Sequence, residues 1–496
     1  MERGAILLIE KSLFKSLFRY FQIFIFLCSA AGFIVGQVIS NNDWLLLSLG
    51  LLFLANLCYG IEKMRERFVF FLFNCACVFF LYGRIFIKYL TKNNWQGVFT
   101  NDVNRTALTI IYLSVMFLLF GAVLYSNLYK KEKRCQNTGN HFLKNQSFWR
   151  TDEFRKNVQI VSFIVYLLCA VCLLISEIEK PIALRGKSYV DYYAAFESSL
   201  PGFVLSISAL AKFVLCIFLA TLPSKGLAFI ALGIYVVSAI PVFIVGQRNK
   251  FISVALFVVC YYLLRDYIRK DGEKRWFGKF EISAVVIALP FLFAFLSIYE
   301  SIRKDIAVSE INILQSISNL FYSQGITYEV ICKCISHIAE LPSTNFNYTF
   351  GALINYLKGN SFGAFLGFES YKSQTIESAL YGNSLGDTIS YIDLGSKYFE
   401  GAGLGSSYIV ENYIDFGYIG VIILSFLLGM FLIWLVKNFN KNIFASYIVL
   451  VSLLQLFMLP RSSASGWLVL IIYIPAIFFV GILLFASYLC QKEYYK

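Results

Sequence analysis

The sequence predicts an all-α, polytopic membrane protein, and three observations carry this prediction. Of the 496 residues, 58% are hydrophobic and only 15% are charged, and the mean hydropathy is +0.67. Twelve segments are long and apolar enough to cross a hydrocarbon layer of ~30 Å as helices. One long interruption, from Glu300 to Gly405, is mostly polar. This composition excludes an ordinary soluble domain.

The predicted spans form two blocks. Nine spans precede the interruption and three follow it, which divides the chain into an N-terminal membrane block (1–299), an outer loop (300–405) and a C-terminal membrane block (406–496). The predicted spans are residues 20–39, 44–60, 68–90, 106–129, 158–178, 199–221, 226–245, 251–268, 281–299, 406–436, 443–459 and 466–489.

Basic residues set the predicted orientation, because Lys and Arg accumulate in cytoplasmic loops. With the N-terminus inside, 26 of the 43 Lys and Arg residues lie in inner segments and 14 in outer ones. Both termini are therefore predicted inside and the long loop outside. The net charge of +13 follows from this topology. We therefore expect membrane lipids, and no nucleic acid, as partners.

Local patterns predict further structure. Residues 1–19 carry apolar residues at helical spacing and four basic residues, which indicates either an interfacial helix on the inner face or a solvated basic anchor, and the anchor is favoured. Arg84 and Lys88, in the outer part of the third span, are predicted to snorkel to lipid headgroups. In the loop, amphipathic helices from Ile306 to Phe321 and from Ile326 to Leu341 are predicted to rest on the membrane, followed by irregular, glycine-rich backbone around a cleft.

Cations beside or inside the spans mark candidate sites. Lys212 lies near the middle of the sixth span. Two interpretations remain open for it, a functional role and an ion pair with a carboxylate on another helix. Arg248, Arg303 and Arg461 lie at three separate outer positions, and Lys250 beside the first is interpreted as a headgroup contact. The planar guanidinium group of arginine can donate two parallel hydrogen bonds to the oxygens of one phosphate. The three arginines therefore predict a phosphate or pyrophosphate site.

Four groups are candidates for accepting a proton or contacting a substrate. Glu411 and Asp415 lie one helical turn apart where the glycine-rich run enters a span, and Asp387 and His337 lie in the loop. The structural alternatives are a capped, solvated helix entrance and a solvated histidine. The sequence contains no phosphate-cradling loop, HExxH motif or carboxylate run. We therefore predict no metal and no cofactor.

Several short motifs together resemble one family. They are GLGSSYIVENYIDFGYIG before a span, GQRNKF at the start of another, the long late loop and a terminal PRSS turn. This combination resembles the O-antigen and capsular polysaccharide polymerases (Wzy) of the bacterial inner membrane. The resemblance implies a GT-C-like membrane glycosyltransferase with a periplasmic active site. It also implies undecaprenyl-pyrophosphate-linked repeat units as donor and acceptor, and admits a chain-length regulator protein as a partner.

The resemblance also implies site roles. Arg248, Arg303 and Arg461 would match the family's outer-face arginines and stabilise the leaving lipid pyrophosphate. Glu411 would take the proton of the acceptor hydroxyl, with Asp387, Asp415 and His337 as alternatives, and the last three would also contact substrate.

Two other functions remain open at this stage. An O-antigen ligase would share the architecture and the donor. A flippase or transporter of lipid-linked saccharides would need polar residues through the depth of several spans. The polar residues concentrate at the outer face, with Lys212 as the main exception, so an enzyme is favoured.

The predicted topology can be tested by labelling. Single cysteines near Asn345 and Asn383 should react with a membrane-impermeant maleimide in intact spheroplasts, because the loop is predicted outside. A cysteine near Lys133 should be protected until the membrane is opened. The reverse labelling pattern would overturn the orientation.

Overall fold

The computed structural model describes residues 2–138, 152–184, 196–245, 248–270, 272–279, 281–283, 287, 319, 321–342 and 348–494. In these residues every regular element is helical. The helices are α1 (Glu2–Val38), α2 (Asn42–Glu62), α3 (Met64–Cys77), a π-helical segment (Val78–Tyr82), α4 (Gly83–Leu90), α5 (Asn101–Thr138), α6 (Asp152–Leu184), α7 (Gly202–Ala220), α8 (Lys225–Ile244), α9 (Arg248–Ile268), α10 (Thr327–Ser336), α11 (Gly351–Gly359), α12 (Ser361–Phe365), α13 (Ile376–Tyr381), α14 (Leu385–Leu394), α15 (Ser396–Phe399), α16 (Tyr408–Asn438), α17 (Ile443–Leu453), a 3-10 helix (Leu456–Arg461), α18 (Gly466–Ile471) and α19 (Ile474–Tyr494).

Eleven candidate membrane spans occur in the described part of the chain, and they correspond to eleven of the twelve predicted ones. The predicted ninth span, 281–299, lies outside the described residues except for 281–283 and 287. The all-α, polytopic fold is thus confirmed. The spans are Ser16–Val38, Asn42–Glu62, Met64–Leu90, Asn101–Lys130, Asp152–Leu184, Gly202–Ala220, Lys225–Phe243, Asn249–Ile268, Tyr408–Asn438, Ile443–Arg461 and Gly466–Cys490.

The chain forms two compact units, each built from three separate segments. Unit 1 consists of Met1–Lys133, Ile317–Val436 and Leu459–Ser465. Unit 2 consists of Arg134–Ser316, Lys437–Met458 and Gly466–Lys496. The division into two membrane blocks and an outer loop describes topology along the sequence, and it stays a prediction.

The N-terminal segment is not a separate helix, and its place on the inner face or in solvent stays a prediction. Residues 2–38 form one helix, because no proline or loop signal interrupts the run before the first span. Near the junction, Arg19 forms an ion pair of 2.7 Å with Glu62, which also pairs with Arg67 at 2.9 Å. The basic end of the first span is therefore attached to the neighbouring helices.

The cations of the third span do not snorkel. Arg84 Nε lies 2.9 Å, and Lys88 Nζ 3.1 Å, from the same oxygen of Glu329, on a helix of the loop. The Arg84 guanidinium also lies 4.3 Å from the centroid of the Tyr322 ring. A partly buried carboxylate provides a fixed partner, so these cations bind the loop instead of the headgroups.

The second predicted loop helix exists but is buried, so its predicted place on the membrane face is wrong. It forms α10, in which Tyr328, Cys332 and Cys334 are fully buried. The Tyr328 hydroxyl donates to Asn104 Oδ1 at 2.8 Å, which fixes the helix against the start of α5. Most of the first predicted loop helix, 306–321, lies outside the described residues.

The rest of the loop is more regular than predicted. Five short helices, α11 to α15, replace most of the expected irregular backbone. Two begin at side-chain caps that accept a backbone N–H, Thr375 from Ser378 and Ser384 from Asp387. Within the described residues of the loop, 366–375 and 402–407 have no regular secondary structure, as predicted.

Helix α16 is broken near its start. Gly417 has φ +62° and ψ −157°, a conformation outside the helical region that glycine adopts without the clash of a Cβ. The break separates residues 408–416, which carry Glu411 and Asp415, from the remainder of the span. The candidate carboxylates therefore lie on a short helix next to the loop.

Glu329 should be required for the attachment of the loop. Glu329→Gln leaves Arg84 and Lys88 side by side without their carboxylate, and we expect a loss of about 1–3 kcal/mol of stability. Thermal unfolding of the purified protein in detergent would measure it.

The matched control is Glu340→Gln, which removes an exposed carboxylate from the same loop. Its effect should be small, because exposed pairs contribute about 0–1 kcal/mol. Adding Lys88→Met to Glu329→Gln should restore part of the stability. Equal unfolding temperatures for both single variants would contradict the attachment.

Candidate active site

Glu411 is the most enclosed of the predicted site residues. It lies in the first turn of α16 and is 1% exposed. Its Oε1 accepts the Ser406 hydroxyl at 2.7 Å, and its Oε2 accepts the Ala464 N–H at 2.7 Å. The carboxylate thus joins the glycine-rich end of the loop, the start of α16 and the terminal turn of unit 1. A solvated helix cap does not fit this burial.

The environment of this carboxylate indicates a functional role. Among the described residues Glu411 has hydrogen-bond donors but forms no ion pair. Burying a carboxylate without a cation is costly, and such groups in membrane spans concentrate at functional sites. Glu411 is therefore the strongest candidate in unit 1.

Arg461 lies three residues before the N–H that holds Glu411. Its Nη1 donates to Gln324 Oε1 at 2.8 Å, and its guanidinium carbon lies 5.9 Å from the Phe80 ring centroid, in the π-helical segment. Such segments recur at functional sites. Because Ala464 donates to Glu411 and lies only three residues after Arg461, the short turn between them couples the position of the Arg461 guanidinium to that of the Glu411 carboxylate.

Asp415 is buried one turn after Glu411 and has a different contact. Its Oδ2 accepts the Thr349 N–H at 2.7 Å. The bond fixes the chain just before α11 against the start of α16. In this structure Asp415 therefore attaches the loop to the span.

Asp387 is also held by its own surroundings. Its two oxygens accept the hydroxyls of Ser373 at 2.6 Å and of Ser378 at 3.2 Å. Burial, followed by the nearby Asp387 charge, raises the pKa of Tyr398 to about 12. These contacts order helices α13 to α15 around the carboxylate.

His337 ends α10 and is partly buried, so it is not simply solvated. Its Nδ1 lies 2.9 Å from Glu340 Oε1, and its Nε2 lies 4.0 Å from Asp393 Oδ1. Lys333 Nζ binds the other oxygen of Asp393 at 2.5 Å. The histidine belongs to a charged cluster at the end of this helix.

The other two predicted arginines are less defined. Arg248 is the first residue of α9, in unit 2, but its side chain is outside the described part of the structure, as is the whole of Arg303. Arg461 belongs to unit 1. Convergence of the three arginines stays a prediction.

Unit 2 contains a cationic cluster around one buried carboxylate. Glu177 accepts Lys250 Nζ at 2.6 Å on Oε1 and Lys180 Nζ at 2.8 Å on Oε2. The interpretation of Lys250 as a headgroup contact is therefore wrong. Lys212 lies within electrostatic range of Lys250, and its Nζ is 5.2 Å from the Phe213 ring. In the described residues Lys212 has no carboxylate partner, whereas Lys180 also interacts electrostatically with a second carboxylate, that of Glu179.

Sequence reasoning missed Glu177, Glu329 and Gln324. A signal existed for the first, because Glu177 directly follows an apolar run inside a span and precedes Lys180 by three residues. Glu329 and Gln324 lie in the loop among other polar residues, where no local pattern distinguishes them.

The fold and the site together define a class. This chain is a multi-pass, all-helical membrane protein with a folded loop before its last three spans and a buried carboxylate where that loop meets the membrane. The sequence profile described as O-antigen polysaccharide polymerase Wzy matches residues 18–493, nearly the whole chain. No curated protein and no solved structure gives a significant match.

The chain therefore belongs to the O-antigen polysaccharide polymerase Wzy family. Its members are polysaccharide polymerases that act on lipid-linked oligosaccharide repeat units. The match supports the predicted polymerase function, whereas it favours neither the ligase nor the flippase.

Proposed function

We propose that this polymerase joins undecaprenyl-pyrophosphate-linked repeat units at the periplasmic face of the bacterial inner membrane. The distribution of basic residues supports a periplasmic loop. The central observation is the buried Glu411 carboxylate, hydrogen-bonded both to the end of that loop and to the terminal turn. A chain-length regulator stays a predicted partner.

The reaction needs an acceptor for one proton. The acceptor hydroxyl oxygen bonds to the anomeric carbon of the donor, and the bond from that carbon to the pyrophosphate oxygen breaks, with its electron pair leaving on the lipid pyrophosphate. We assign the hydroxyl proton to Glu411, through Ser406. Ser406 is 7% exposed, against 1% for Glu411, and its hydroxyl already donates to the carboxylate at 2.7 Å. A bonded hydroxyl and carboxylate can transfer a proton in this way.

The leaving pyrophosphate needs cations. Arg461 and Arg248 are proposed to bind it, because guanidinium groups stabilise developing phosphate charge through paired hydrogen bonds. The position of Arg461, three residues before the amide held by Glu411, supports its role. Among the described residues Lys180, Lys212 and Lys250 outnumber the carboxylates of Glu177 and Glu179 by one, and this surplus supports an anion-binding region near the start of α9.

The remaining predicted residues have supporting roles in this proposal. Asp415 and Asp387 hold the loop through Thr349, Ser373 and Ser378. His337 holds the end of α10. Arg303 stays a predicted substrate contact. The reaction as proposed uses no metal, since arginine side chains supply the charge.

Glu411→Gln and Ser406→Ala should each slow chain transfer about 10²–10⁴-fold at saturating substrate, because both interrupt proton removal. The measurement is polymerisation of a lipid-linked repeat unit by purified protein, with KM and kcat separated. Binding of the lipid-linked donor should be retained by both variants.

The control for these variants is Ser407→Ala. In the described residues the Ser407 hydroxyl accepts the Ile409 N–H at 3.4 Å and does not contact Glu411, so its removal should leave transfer within a few-fold of wild type. A wild-type kcat in Ser406→Ala would contradict proton transfer from the acceptor hydroxyl through Ser406 to Glu411. Loss of donor binding in a folded Glu411→Gln would assign the carboxylate to recognition.

Arg248→Lys and Arg461→Lys should each reduce chain growth roughly 30- to 1000-fold, because lysine keeps the charge but loses the fork. Complementation of a deletion strain measures this. That strain should carry lipopolysaccharide cores capped by single repeats, and wild-type protein should restore the ladder of chain lengths.

Arg65→Lys, on a predicted inner loop, is the matched control and should restore the full ladder. Membrane levels of all three variants should be equal. A full ladder from both Arg248→Lys and Arg461→Lys would exclude the arginine site, whereas an uncapped core in the deletion strain would indicate a ligase.

A further inference from the structure

A polar cleft with a volume of about 340 Å³ opens in unit 1, where α1, α5 and the part of α16 after its break come together. None of the predicted site residues lines it. The residues that carry its chemistry are Phe33, Gln37, Asp102, Arg105, Thr109 and Tyr418.

The cleft lies on the side of unit 1 that carries the loop. Asn104, next to Arg105, accepts the hydroxyl of Tyr328 from α10. Tyr418 directly follows the break at Gly417, seven residues after Glu411. The five residues from Glu411 to Phe416 rise about 8 Å along the short helix, and the two further residues to Tyr418 span at most about 7 Å, so the cleft is within reach of an oligosaccharide held near Glu411.

The polar groups of the cleft form a neutral set of donors and acceptors. Arg105 forms an ion pair with Asp102, and its Nη1 donates to the Ser40 hydroxyl at 2.8 Å. Gln37 Nε2 donates to Thr109 Oγ1 at 2.6 Å. Because the two charges cancel, the cleft differs from the lysine cluster around Glu177 and favours an uncharged ligand with many hydroxyls.

Aromatic rings complete the cleft. Tyr418 is 42% exposed, and its ring meets that of Tyr413 edge to face at 5.1 Å. Phe33 stacks on Tyr112 with 3.9 Å between ring centroids, which fixes its orientation. An exposed aromatic face packs against the C–H face of a pyranose, while amide, guanidinium and carboxylate groups bind its hydroxyls.

We propose that this cleft binds a neutral sugar residue of the acceptor repeat unit. The inference rests on the proposed function, and it names the part of the enzyme that recognises the glycan instead of the lipid pyrophosphate. Tyr418 and Arg105 are the specificity-determining contacts, and the attacking hydroxyl extends from the cleft toward Ser406.

The test uses the full chain purified in detergent and the lipid-free repeat-unit oligosaccharide released from the host polysaccharide. Calorimetry should show at least ~10-fold weaker binding in Tyr418→Ala and Arg105→Gln than in wild type. Polymerisation should show a similar increase in KM for the acceptor, with kcat within about 2-fold.

Two variants serve as controls. Tyr418→Phe keeps the ring and should bind nearly as wild type. Ile419→Ala changes the adjacent, 70% exposed side chain and should have no effect on oligosaccharide binding. Unfolding temperatures of all variants should match that of wild type.

Glu411→Gln separates this inference from the proposed function, since it should bind the oligosaccharide normally while failing in transfer. If Glu411→Gln transfers at the wild-type rate while the cleft variants lose oligosaccharide binding, the proposed role of Glu411 is contradicted and the proposed sugar site in the cleft is supported. Unchanged oligosaccharide binding in folded Tyr418→Ala and Arg105→Gln would contradict the proposal that the cleft binds a sugar residue. Weaker binding of these variants to anionic lipid vesicles instead would assign it to a headgroup.

Discussion

The paired hydrogen bonds of Glu411 are the interaction on which unit 1 most depends. One oxygen holds Ser406, at the end of the loop, and the other holds Ala464, in the terminal turn. These segments are far apart in sequence, and neither has regular structure at the point of contact. The oxygens of a buried carboxylate need hydrogen-bond donors, because burial without them costs free energy. The segments that donate to Glu411 are therefore held in place by the same requirement.

The same constraint recurs wherever the loop meets the spans. Arg84 and Lys88 share Glu329, and Asp415 accepts a backbone N–H beside α11. Charges near a hydrocarbon layer need partners, and for Arg84 and Lys88 the partner comes from the loop. Polar contacts therefore hold the described part of the loop against the spans of unit 1.

Much of the fold follows from the sequence alone because membrane spans are a local property. Length and hydropathy located the spans now seen in the described residues, whereas the orientation predicted from the basic residues stays a prediction. Pairings could not be predicted in this way. Lys88 and Glu329 are separated by 241 positions, and Lys250 and Glu177 by 73. With no local pattern linking them, the sequence favoured lipid headgroups for Lys88 and Lys250, and the structure assigns both to carboxylates.

The lysine cluster around Glu177 and the cleft lined by Tyr418 are two different kinds of polar surface. The proposed substrate also has two chemically different parts, a glycan and a lipid pyrophosphate. Among the described residues around Glu177, Lys180, Lys212 and Lys250 outnumber the carboxylates of Glu177 and Glu179 by one, which supports the proposed anion-binding region. In the cleft of Tyr418 the charges cancel, and a phosphate would gain little from entering it. In the proposed function, electrostatic attraction acts on the pyrophosphate, whereas the shape and the hydrogen-bonding groups of the cleft act on the glycan. Glu411 precedes the break at Gly417 and Tyr418 directly follows it, so the proposed proton acceptor and the proposed acceptor cleft lie on adjoining segments of one helix.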